Sequence, residues 1–358
     1  MAAEGLDRGV LLHRGPAAGF EPADIGTDAG FALFLETSGT TGTPKRVRHR
    51  LDRLLGRIPA NPAPDAVWLL SYDPCGFAGL QVILTALRGG GTLVAAPGAD
   101  LGTLADLAVR HGVTHASGTP SFWRGLLLTG AAPPLRAITL GGEAADQPLL
   151  DALTRRFPGA RLRHIYASTE AGALFAVSDG REGFPARWLD TGVDGVDLRI
   201  RDGVLDVRSP RSGHVLSASG GEADPIRRNA DTDGWLSTGD LVEIRDGRVL
   251  FRGRNDLVVN VAGTKVIPEE VERHLLAVPG VQDAAVTAID SPITGKLLLA
   301  MVAAPEMEET AIRALLREAL SHLPAAARPR RIQLVDRIDL LPSGKKRRQV
   351  RAQQEIGT

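Results

Sequence analysis

Residues 37–45 read TSGTTGTPK and directly follow the apolar run FALFLE at residues 31–36. Glycine permits the backbone torsions that bring several N–H groups close to one anion. Hydroxyl side chains donate further hydrogen bonds, and a lysine adds positive charge. The stretch therefore has the parts of a loop that follows a strand and holds a polyphosphate.

This loop differs from a Walker A loop, in which four residues separate the glycines and a Ser or Thr follows the lysine. Here two residues separate Gly39 from Gly42, and Arg46 follows Lys45. By itself, a stretch rich in Thr and Gly is also compatible with an ordinary turn. The choice between a phosphate loop and a turn depends on the rest of the chain.

Short apolar runs alternate with segments of helical periodicity through the first part of the chain. The apolar runs are 31–36, 66–71, 91–96, 138–142 and 162–167. The helical segments are 80–90, 101–112 and 147–159. Short runs that are apolar on both faces are typical of parallel strands, and this order predicts βαβ units in a layered α/β domain with mixed sheets.

Beyond residue 198 the pattern changes to short strands and tight turns. Asp202-Gly203 and Asp246-Gly247, each between alternating apolar residues, predict β-hairpins and a β-rich end to the large domain. Helices are then predicted at 269–278 and 310–323, and strands at 283–289, 297–304 and 331–335. We predict a large domain over residues 1–255 and a small α+β domain over residues 256–358.

Five stretches, in order, resemble the motifs of the adenylate-forming superfamily, which groups acyl-CoA and aryl-CoA synthetases, nonribosomal-peptide adenylation domains and luciferases. They are TSGTTGTPK at 37–45, YASTE at 166–170 with Ala in place of the family's Gly, STGD at 237–240, GRNDLVVNVAGTKVIPEEVE at 253–272, and LLPSGKKRR at 340–348. The chain is identified by this order as similar to that family, and the turn interpretation of the first stretch loses its support.

The resemblance implies how ATP and Mg²⁺ are bound. The β- and γ-phosphates would be held by Thr37, Ser38, Gly39, Thr40, Thr41, Gly42, Thr43 and Lys45. Tyr166 would stack on the adenine, with Ala167 and Ser168 in the same nucleotide-binding segment. Thr169 would bind the α-phosphate, and Glu170 would coordinate Mg²⁺, a hard ion that prefers oxygen ligands beside phosphates.

Further positions follow from the same resemblance. Asp240 would accept hydrogen bonds from both ribose hydroxyls, and Arg254 would reach the ribose or a phosphate. Gly142 and Glu143, with Gly141, would form a floor between the adenine and acyl pockets.

Lys345 is implied as the catalytic residue, together with Thr169 and Glu170. A carboxylate that attacks the α-phosphorus of ATP develops negative charge, which a positioned ammonium stabilises. The sequence shows no GxSxG elbow and no evident Ser/His/Asp triad, and this reaction requires no covalent nucleophile. The basic residues 346–348 are expected to form a solvated face, and Trp235 to be an ordinary core residue.

The resemblance places a hinge at Asp256. In the family, the small domain turns there between an orientation that presents the lysine and one that brings the loop containing Gly263 to a pantetheine tunnel. A second step is therefore implied, in which the thiol of CoA, or of the phosphopantetheine on an acyl carrier protein, takes the acyl group.

The substrate pocket is predicted around Gly76, Phe77 and Gly141. An ungapped comparison puts Gly76 where many acyl-CoA synthetases have a histidine, and Phe77 where amino-acid-activating domains have an aspartate that binds the α-amine. Asp73 lies nearby but out of register. These departures favour a plain carboxylic acid as substrate over an amino acid.

The part before the phosphate loop is short, and in this the chain resembles compact members of the family, among them acyl-CoA and acyl-carrier-protein ligases. Only 36 residues precede Thr37, whereas most relatives carry a substantial further subdomain there. Three alternatives stay open: the wall that this subdomain forms is dispensable, the partner in a homodimer covers the site, or a separate protein does.

Composition limits the function classes. Lys+Arg and Asp+Glu balance at 42 each, so no overall field attracts nucleic acid or an anionic membrane surface. Cys75 is the one cysteine, which excludes an internal disulfide, and the histidines show no metal-ligand spacing. Without a signal-peptide pattern or an apolar run of spanning length, a cytoplasmic protein is predicted.

Two rival functions remain from the sequence. One is an acyltransferase of the same fold that uses a preformed acyl-thioester or acyl-adenylate. The other is a non-catalytic regulatory or scaffold protein that binds ATP. Glu170, Asp240 and Lys345 favour the ligase over both.

Overall fold

A computed structural model of the chain describes residues 10–12, 32–37, 45–56, 58, 62–210, 214–216, 233–291, 295–341 and 343–348. Its first sheet contains β1 (Val10–Leu12), β2 (Ala32–Thr37) and β3 (Lys45–Arg50), followed by the helix α1 (Leu51–Leu55). Strands β2 and β3 are antiparallel, with Thr37 opposite Lys45. One strand pair therefore fixes both ends of the predicted phosphate loop, whose residues 38–44 lie outside the described ranges.

The second sheet has six strands in the order β5-β4-β6-β7-β8-β9. They are β4 (Val67–Leu70), β5 (Thr92–Ala95), β6 (His115–Gly118), β7 (Ala137–Gly141), β8 (Arg161–Ser168) and β9 (Gly172–Val177). All are parallel except β9. The predicted βαβ order is confirmed for the runs that became β4, β5, β7 and β8.

The first predicted parallel run behaves differently. The predicted run became β2, which is parallel to β1 and antiparallel to β3; the predicted strand is confirmed, but it lies in a mixed sheet separate from the six-stranded one. Strand β3 reads KRVRHR, in which the buried Val47 and His49 alternate with charged residues. That alternation is typical of a strand with one buried face, and the charges concealed it.

Helices cover both faces of the six-stranded sheet. They are α2 (Phe77–Gly89), α3 (Leu101–Arg110), α4 (Pro120–Leu128) and α5 (Gln147–Arg156). Leu69 packs with α3, α4 and α5 in one hydrophobic cluster, whereas its neighbour Leu70 packs with α2 in another. Because successive strand residues point to opposite faces, α2 lies on the face opposite α3, α4 and α5. On that face α2 packs against Leu33 and Leu35 of the first sheet.

A five-stranded antiparallel sheet completes the N-terminal domain. Its strands are β10 (Phe184–Pro185), β11 (Asp197–Arg201), β12 (Val204–Arg208), β14 (Leu236–Arg245) and β15 (Arg248–Arg254). The short helix α6 (Trp188–Thr191) precedes β11. Strand β13 (His214–Leu216) belongs to the first sheet, where it pairs with β3. Both predicted hairpins are confirmed, since Asp202 and Asp246 have φ of 52° and 50°. Each is followed by a glycine with positive φ, as a type I′ turn requires.

The C-terminal α/β domain has its own core. Its elements are β16 (Val259–Val261), β17 (Thr264–Val266), α7 (Pro268–Leu276), β18 (Asp283–Ser291), β19 (Gly295–Ala303), α8 (Glu309–Ser321) and β20 (Arg331–Val335). The two predicted helices and three predicted strands are confirmed. The sequence did not predict the β16–β17 hairpin, and the boundary between residues 255 and 256 stays a prediction.

In the described part of the chain, the main hydrophobic clusters of the two domains share no residue. Leu340 of the C-terminal motif packs on the N-terminal cluster. The result is the predicted α/β fold, with a large domain of several sheets and a small C-terminal domain.

Candidate active site

The carboxyl ends of the parallel strands meet at one edge of the six-stranded sheet. Tyr72 follows β4, Thr119 follows β6, Gly142 follows β7 and Thr169 follows β8. In open α/β sheets this edge is where ligands bind. The Tyr72 hydroxyl donates to the carbonyl oxygen of Gly141 at 3.3 Å, and burial raises the pKa of that hydroxyl, which keeps it protonated.

Gly142 needs to be glycine because of its backbone and not because of crowding. Its φ of 85° lies in the left-handed region. A Cβ atom added there would lie 3.6 Å from Thr119 Cγ2 and 3.9 Å from Lys345 Cε, both ordinary contacts. The same numbers place the Lys345 side chain directly beside the end of β7.

Glu143 connects the two domains. Its Oε2 accepts hydrogen bonds from the backbone N–H and the hydroxyl of Ser121, at 3.1 and 2.5 Å. Its Oε1 accepts one from the backbone N–H of Lys346, at 3.3 Å. The predicted role of Glu143 in a floor between the adenine and acyl pockets stays a prediction. Its contacts in the structure are with α4 and with residues 343–346, the loop that carries Lys345 and is called the lysine loop below.

The segment 166–170 forms the end of β8 and the turn that follows. Ser168 Oγ accepts from the Ala171 N–H at 2.9 Å, which closes the turn around the half-buried Thr169 and Glu170. The ring of Tyr166 stacks on Phe251 with centroids 5.1 Å apart. One ring face is thus covered by protein, and adenine stacking by Tyr166 stays a prediction.

Asp240 and Arg254 are paired across β14 and β15. The Tyr166 hydroxyl donates to Asp240 Oδ2, and Arg254 Nη1 donates to Asp240 Oδ1 at 3.3 Å. Burial raises the pKa of the Asp240 carboxyl above its ordinary value, although the Tyr166 hydroxyl and the charges of Arg254 and Lys345 oppose the shift. Asp240 is therefore a preorganised acceptor within reach of the Lys345 charge.

The predicted hinge and tunnel residues lie farther along the same segment. Asp256 is in a 3-10 turn and accepts from Arg254 Nε at 3.1 Å. Gly263 is at the exposed tip of the β16–β17 hairpin with φ of 86°. Arg254 thus links the Asp240 carboxylate to Asp256.

Lys345 projects from a closed loop of the C-terminal domain. The Leu341 N–H donates to the Lys345 carbonyl oxygen at 2.8 Å, and Leu340 bridges to Lys346. The Thr119 hydroxyl, which also caps α4, donates to the carbonyl oxygen of Gly344. The structure thereby brings the Lys345 side chain beside Gly142.

Other predicted residues lie elsewhere. Thr37 and Lys45 are strand-end residues of β2 and β3, whose side chains are outside the described part. Gly76 is the N-cap of α2. Phe77 is 9% exposed and packs among the leucines between α2 and the first sheet, so its place in an acyl pocket stays a prediction.

The expectation of a solvated face at residues 346–348 is wrong. The Lys346 side chain is 8% exposed, and Arg348 Nε donates to Glu272 Oε1 at 3.0 Å. Their carboxylate partners come from α7 and β18, which no spacing in the basic run reveals. Lys346 is paired because the fold brings distant acidic residues to it.

Sequence inspection missed Tyr72, Thr119 and Ser121. One signal was available, because a Thr followed by Pro at the first helical position is typical of a helix start. Thr119 and Pro120 have those roles in α4. The contact of Thr119 with the lysine loop spans 225 residues and has no local signal.

The described residues contain neither a preformed metal site nor a membrane-spanning helix. No three His, Cys, Asp or Glu side chains gather there in a way that would hold a metal ion by themselves. No helix in the described ranges has the length and apolar character needed to cross a bilayer.

Comparisons with known proteins point to one family. The profile described as AMP-binding enzyme matches residues 16–210, and the profile described as AMP-binding enzyme C-terminal domain matches residues 270–345. L-proline--[L-prolyl-carrier protein] ligase of Streptomyces coelicolor is 29% identical over 89% of this chain, and 4-coumarate--CoA ligase 3 of Oryza sativa subsp. japonica is 27% identical over 96%. The chain spans 65% of the length of each of these relatives.

A solved structure is also similar. The amide bond synthetase McbA from Marinactinospora thermotolerans is 26% identical, with a TM-score of 0.62 over 88% of this chain and 67% of that one.

Proposed function

The chain belongs to the AMP-binding enzyme family of adenylate-forming proteins, and from that membership we propose that it activates a carboxylic acid as acyl-AMP and passes the acyl group to a pantetheine thiol. The observation that carries the first step is the position of Lys345 beside Gly142, within reach of Asp240. In this proposal the ammonium group of Lys345 acts at the edge of the sheet, which is where ligands bind in open α/β folds.

In the proposed first step, a carboxylate oxygen of the acid forms a bond to the α-phosphorus of ATP. The bond from that phosphorus to the bridging oxygen breaks, and pyrophosphate leaves with both electrons. Lys345 stabilises the negative charge that develops on the reacting oxygens. Asp240 accepts from the ribose hydroxyls, and Thr169 donates to the α-phosphate.

The residues present fit a nucleotide and its metal. Asp240 is a buried acceptor at the open edge of the sheet, with a side chain 18% exposed. Glu170 is a half-buried carboxylate in the turn after β8 and would hold Mg²⁺, which when bound neutralises phosphate charge. Because the described protein residues form no complete metal site by themselves, phosphate oxygens complete the coordination in this proposal.

In the proposed second step, the thiol sulfur attacks the acyl carbon, and AMP leaves as its phosphate oxygen takes the electrons. The thiol gives its proton to solvent. The Gly263 hairpin tip is exposed and faces no crowding, since a Cβ added there meets nothing within 4 Å. In this proposal the hairpin lies beside the pantetheine arm, on CoA or on a carrier protein.

The test measures pyrophosphate release with ATP, Mg²⁺ and a panel of aliphatic, aryl and amino acids. We expect at least one plain carboxylic acid to support release, and Lys345→Ala to reduce the rate by about 10²-fold or more. Lys296→Ala, which changes a lysine half exposed in the same domain, is the matched control. No release with any acid, or an unchanged rate in Lys345→Ala, would contradict the proposal.

The acceptor is tested separately with preformed acyl-AMP. We expect CoA or a phosphopantetheinylated carrier to give an acyl-thioester. Amide formation with a simple amine, and none with a thiol, would assign the second step to amide synthesis instead.

A further inference from the structure

Lys346 is buried beside the exposed Lys345. Its ammonium lies 2.8 Å from Asp283 Oδ1 and donates to the Ala284 carbonyl oxygen at 2.5 Å. Glu272 Oε2 is 3.8 Å away. A buried ammonium without partners is far less stable than a paired one, so these partners hold Lys346 in one position within the C-terminal domain.

The backbone on both sides of Lys345 is bound to the N-terminal domain. Before it, the Gly344 carbonyl oxygen accepts from the Thr119 hydroxyl. After it, the Lys346 N–H donates to Glu143 Oε1 at 3.3 Å. The peptide groups on both sides of Lys345 are therefore held by the N-terminal domain, and the Lys346 side chain is held by the C-terminal domain. A shift of the Lys346 side chain would move the peptide group that it shares with Lys345 and so change the direction of the Lys345 side chain.

Asp283 connects that anchorage to the other domain. Its side chain is 5% exposed, and Arg124 of α4 brings Nε to 3.9 Å from Oδ1, the same oxygen that lies near Lys346. Arg124 is also paired with Asp146, the N-cap of α5. The Asp283 carboxylate thus lies between a cation of its own domain and a cation of the other.

We propose that Lys346 is a positioning residue for Lys345, and that the carboxylate of Asp283, shared with Arg124, fixes the lysine loop as the C-terminal domain docks. This inference rests on the proposed adenylation, in which Lys345 acts. Lys346 itself touches neither acid nor nucleotide. It acts by setting the direction in which the preceding side chain leaves the loop.

The test labels the intact protein with an adenosine that carries a sulfonyl fluoride at its 5′ position. The amine of Lys345 attacks sulfur, and fluoride and a proton leave as a sulfonamide forms, so no acid substrate is required. Mass spectrometry gives the rate of modification at Lys345. We expect Lys346→Met to slow it by about ten- to a hundredfold, since small misplacements of a reacting group have effects of that size.

Two further variants complete the comparison. Lys346→Arg keeps the charge and is expected to restore most of the labelling rate. Lys296→Met removes an ammonium that pairs with Asp290 on the surface of the same domain, and it is expected to label as the wild type does. A wild-type rate in Lys346→Met would overturn the proposal, as would the absence of labelling at Lys345 in the wild-type protein.

Folding is followed by thermal melting in each variant. If Lys346→Met does not fold, Asp283→Asn takes its place, because it leaves Glu272 and the Ala284 carbonyl oxygen to Lys346. Slow labelling in folded Asp283→Asn supports the proposal, and a wild-type rate there overturns it. Failure of the proposed function would have a different signature, namely normal labelling of Lys345 with no pyrophosphate release on any acid.

Discussion

Replacing Gly344 by alanine tests whether docking of the lysine loop limits adenylation. Gly344 has φ of 77°, where a non-glycine residue costs about 1–2 kcal/mol. The added Cβ would lie 3.2 Å from Thr119 Cγ2 and 3.4 Å from Thr119 Oγ1, so the loop or Thr119 must shift by a few tenths of an ångström. The backbone cost is local to the loop, whereas the contact with Thr119 exists only while the domains are docked.

Gly295 provides the matched control. Its φ is 74°, it lies in the same domain, and a Cβ added there meets nothing within 4 Å. Both variants should lose a similar free energy of unfolding, about 1–2 kcal/mol, which is measured by chemical denaturation. Because a displacement near 1 Å costs about 10²-fold in rate, a shift of a few tenths predicts a three- to tenfold loss of pyrophosphate release in Gly344→Ala.

The second half-reaction separates docking from general damage. Thioester formation from preformed acyl-AMP should be the same in Gly344→Ala and Gly295→Ala, since the lysine loop takes no part in the proposed second step. Equal rates of pyrophosphate release in the two variants would refute the idea that the Thr119 contact positions Lys345.

Two further outcomes follow from the electrostatics of the site. Tyr166→Phe removes a hydroxyl that stabilises the charged form of Asp240, so the pKa of that carboxyl should rise further. The loss of ATP affinity at acid pH, measured by calorimetric titration across pH, should then begin at a higher pH than in the wild type. An unchanged pH dependence would exclude Asp240 as the group that accepts from the ribose hydroxyls. Burial opposes ionisation of Glu272, but the charges of Lys346 and Arg348 outweigh it and hold the pKa of Glu272 below its ordinary value of 4.5. The ionised Glu272 therefore stabilises the folded state above pH 4.5, and this contribution is lost as the pH falls through the folded-state pKa. Melting temperatures of Glu272→Gln should therefore depend less on acid pH than those of the wild type, with exposed Glu306→Gln as the control.

The parts of the fold that were predictable have strong local signals. The Asp-Gly pairs at 202–203 and 246–247 predicted hairpins because their backbone torsions suit few other residues. The helices α3 and α5 followed from apolar periodicity. Strand β6 was missed because its sequence, HASG, contains only small or polar residues, and its position between β4 and β7 comes from the sheet and not from its own composition.

In the candidate site, too, some features have a local sequence signal and others depend on tertiary contacts. The family resemblance located Gly142, Asp240 and Lys345, and the structure places Lys345 beside Gly142 with its charge acting on Asp240. The contacts that hold them there depend on tertiary packing: Lys346 meets Asp283 across more than sixty positions, and Thr119 meets Gly344 across 225. Such partners carry no periodic pattern in sequence, so a charged run can be mistaken for a solvated surface.

The separation of the hydrophobic clusters has a thermodynamic consequence. Unfolding raises the heat capacity mainly through exposure of apolar surface, whereas exposure of polar surface lowers it. The described contacts between the domains include ion pairs and hydrogen bonds, and the hydrophobic clusters of the two domains stay separate except where Leu340 packs on the N-terminal one. If the domains part, little of either cluster should become exposed, so the heat capacity should change far less than on unfolding and the enthalpy of parting should vary little with temperature.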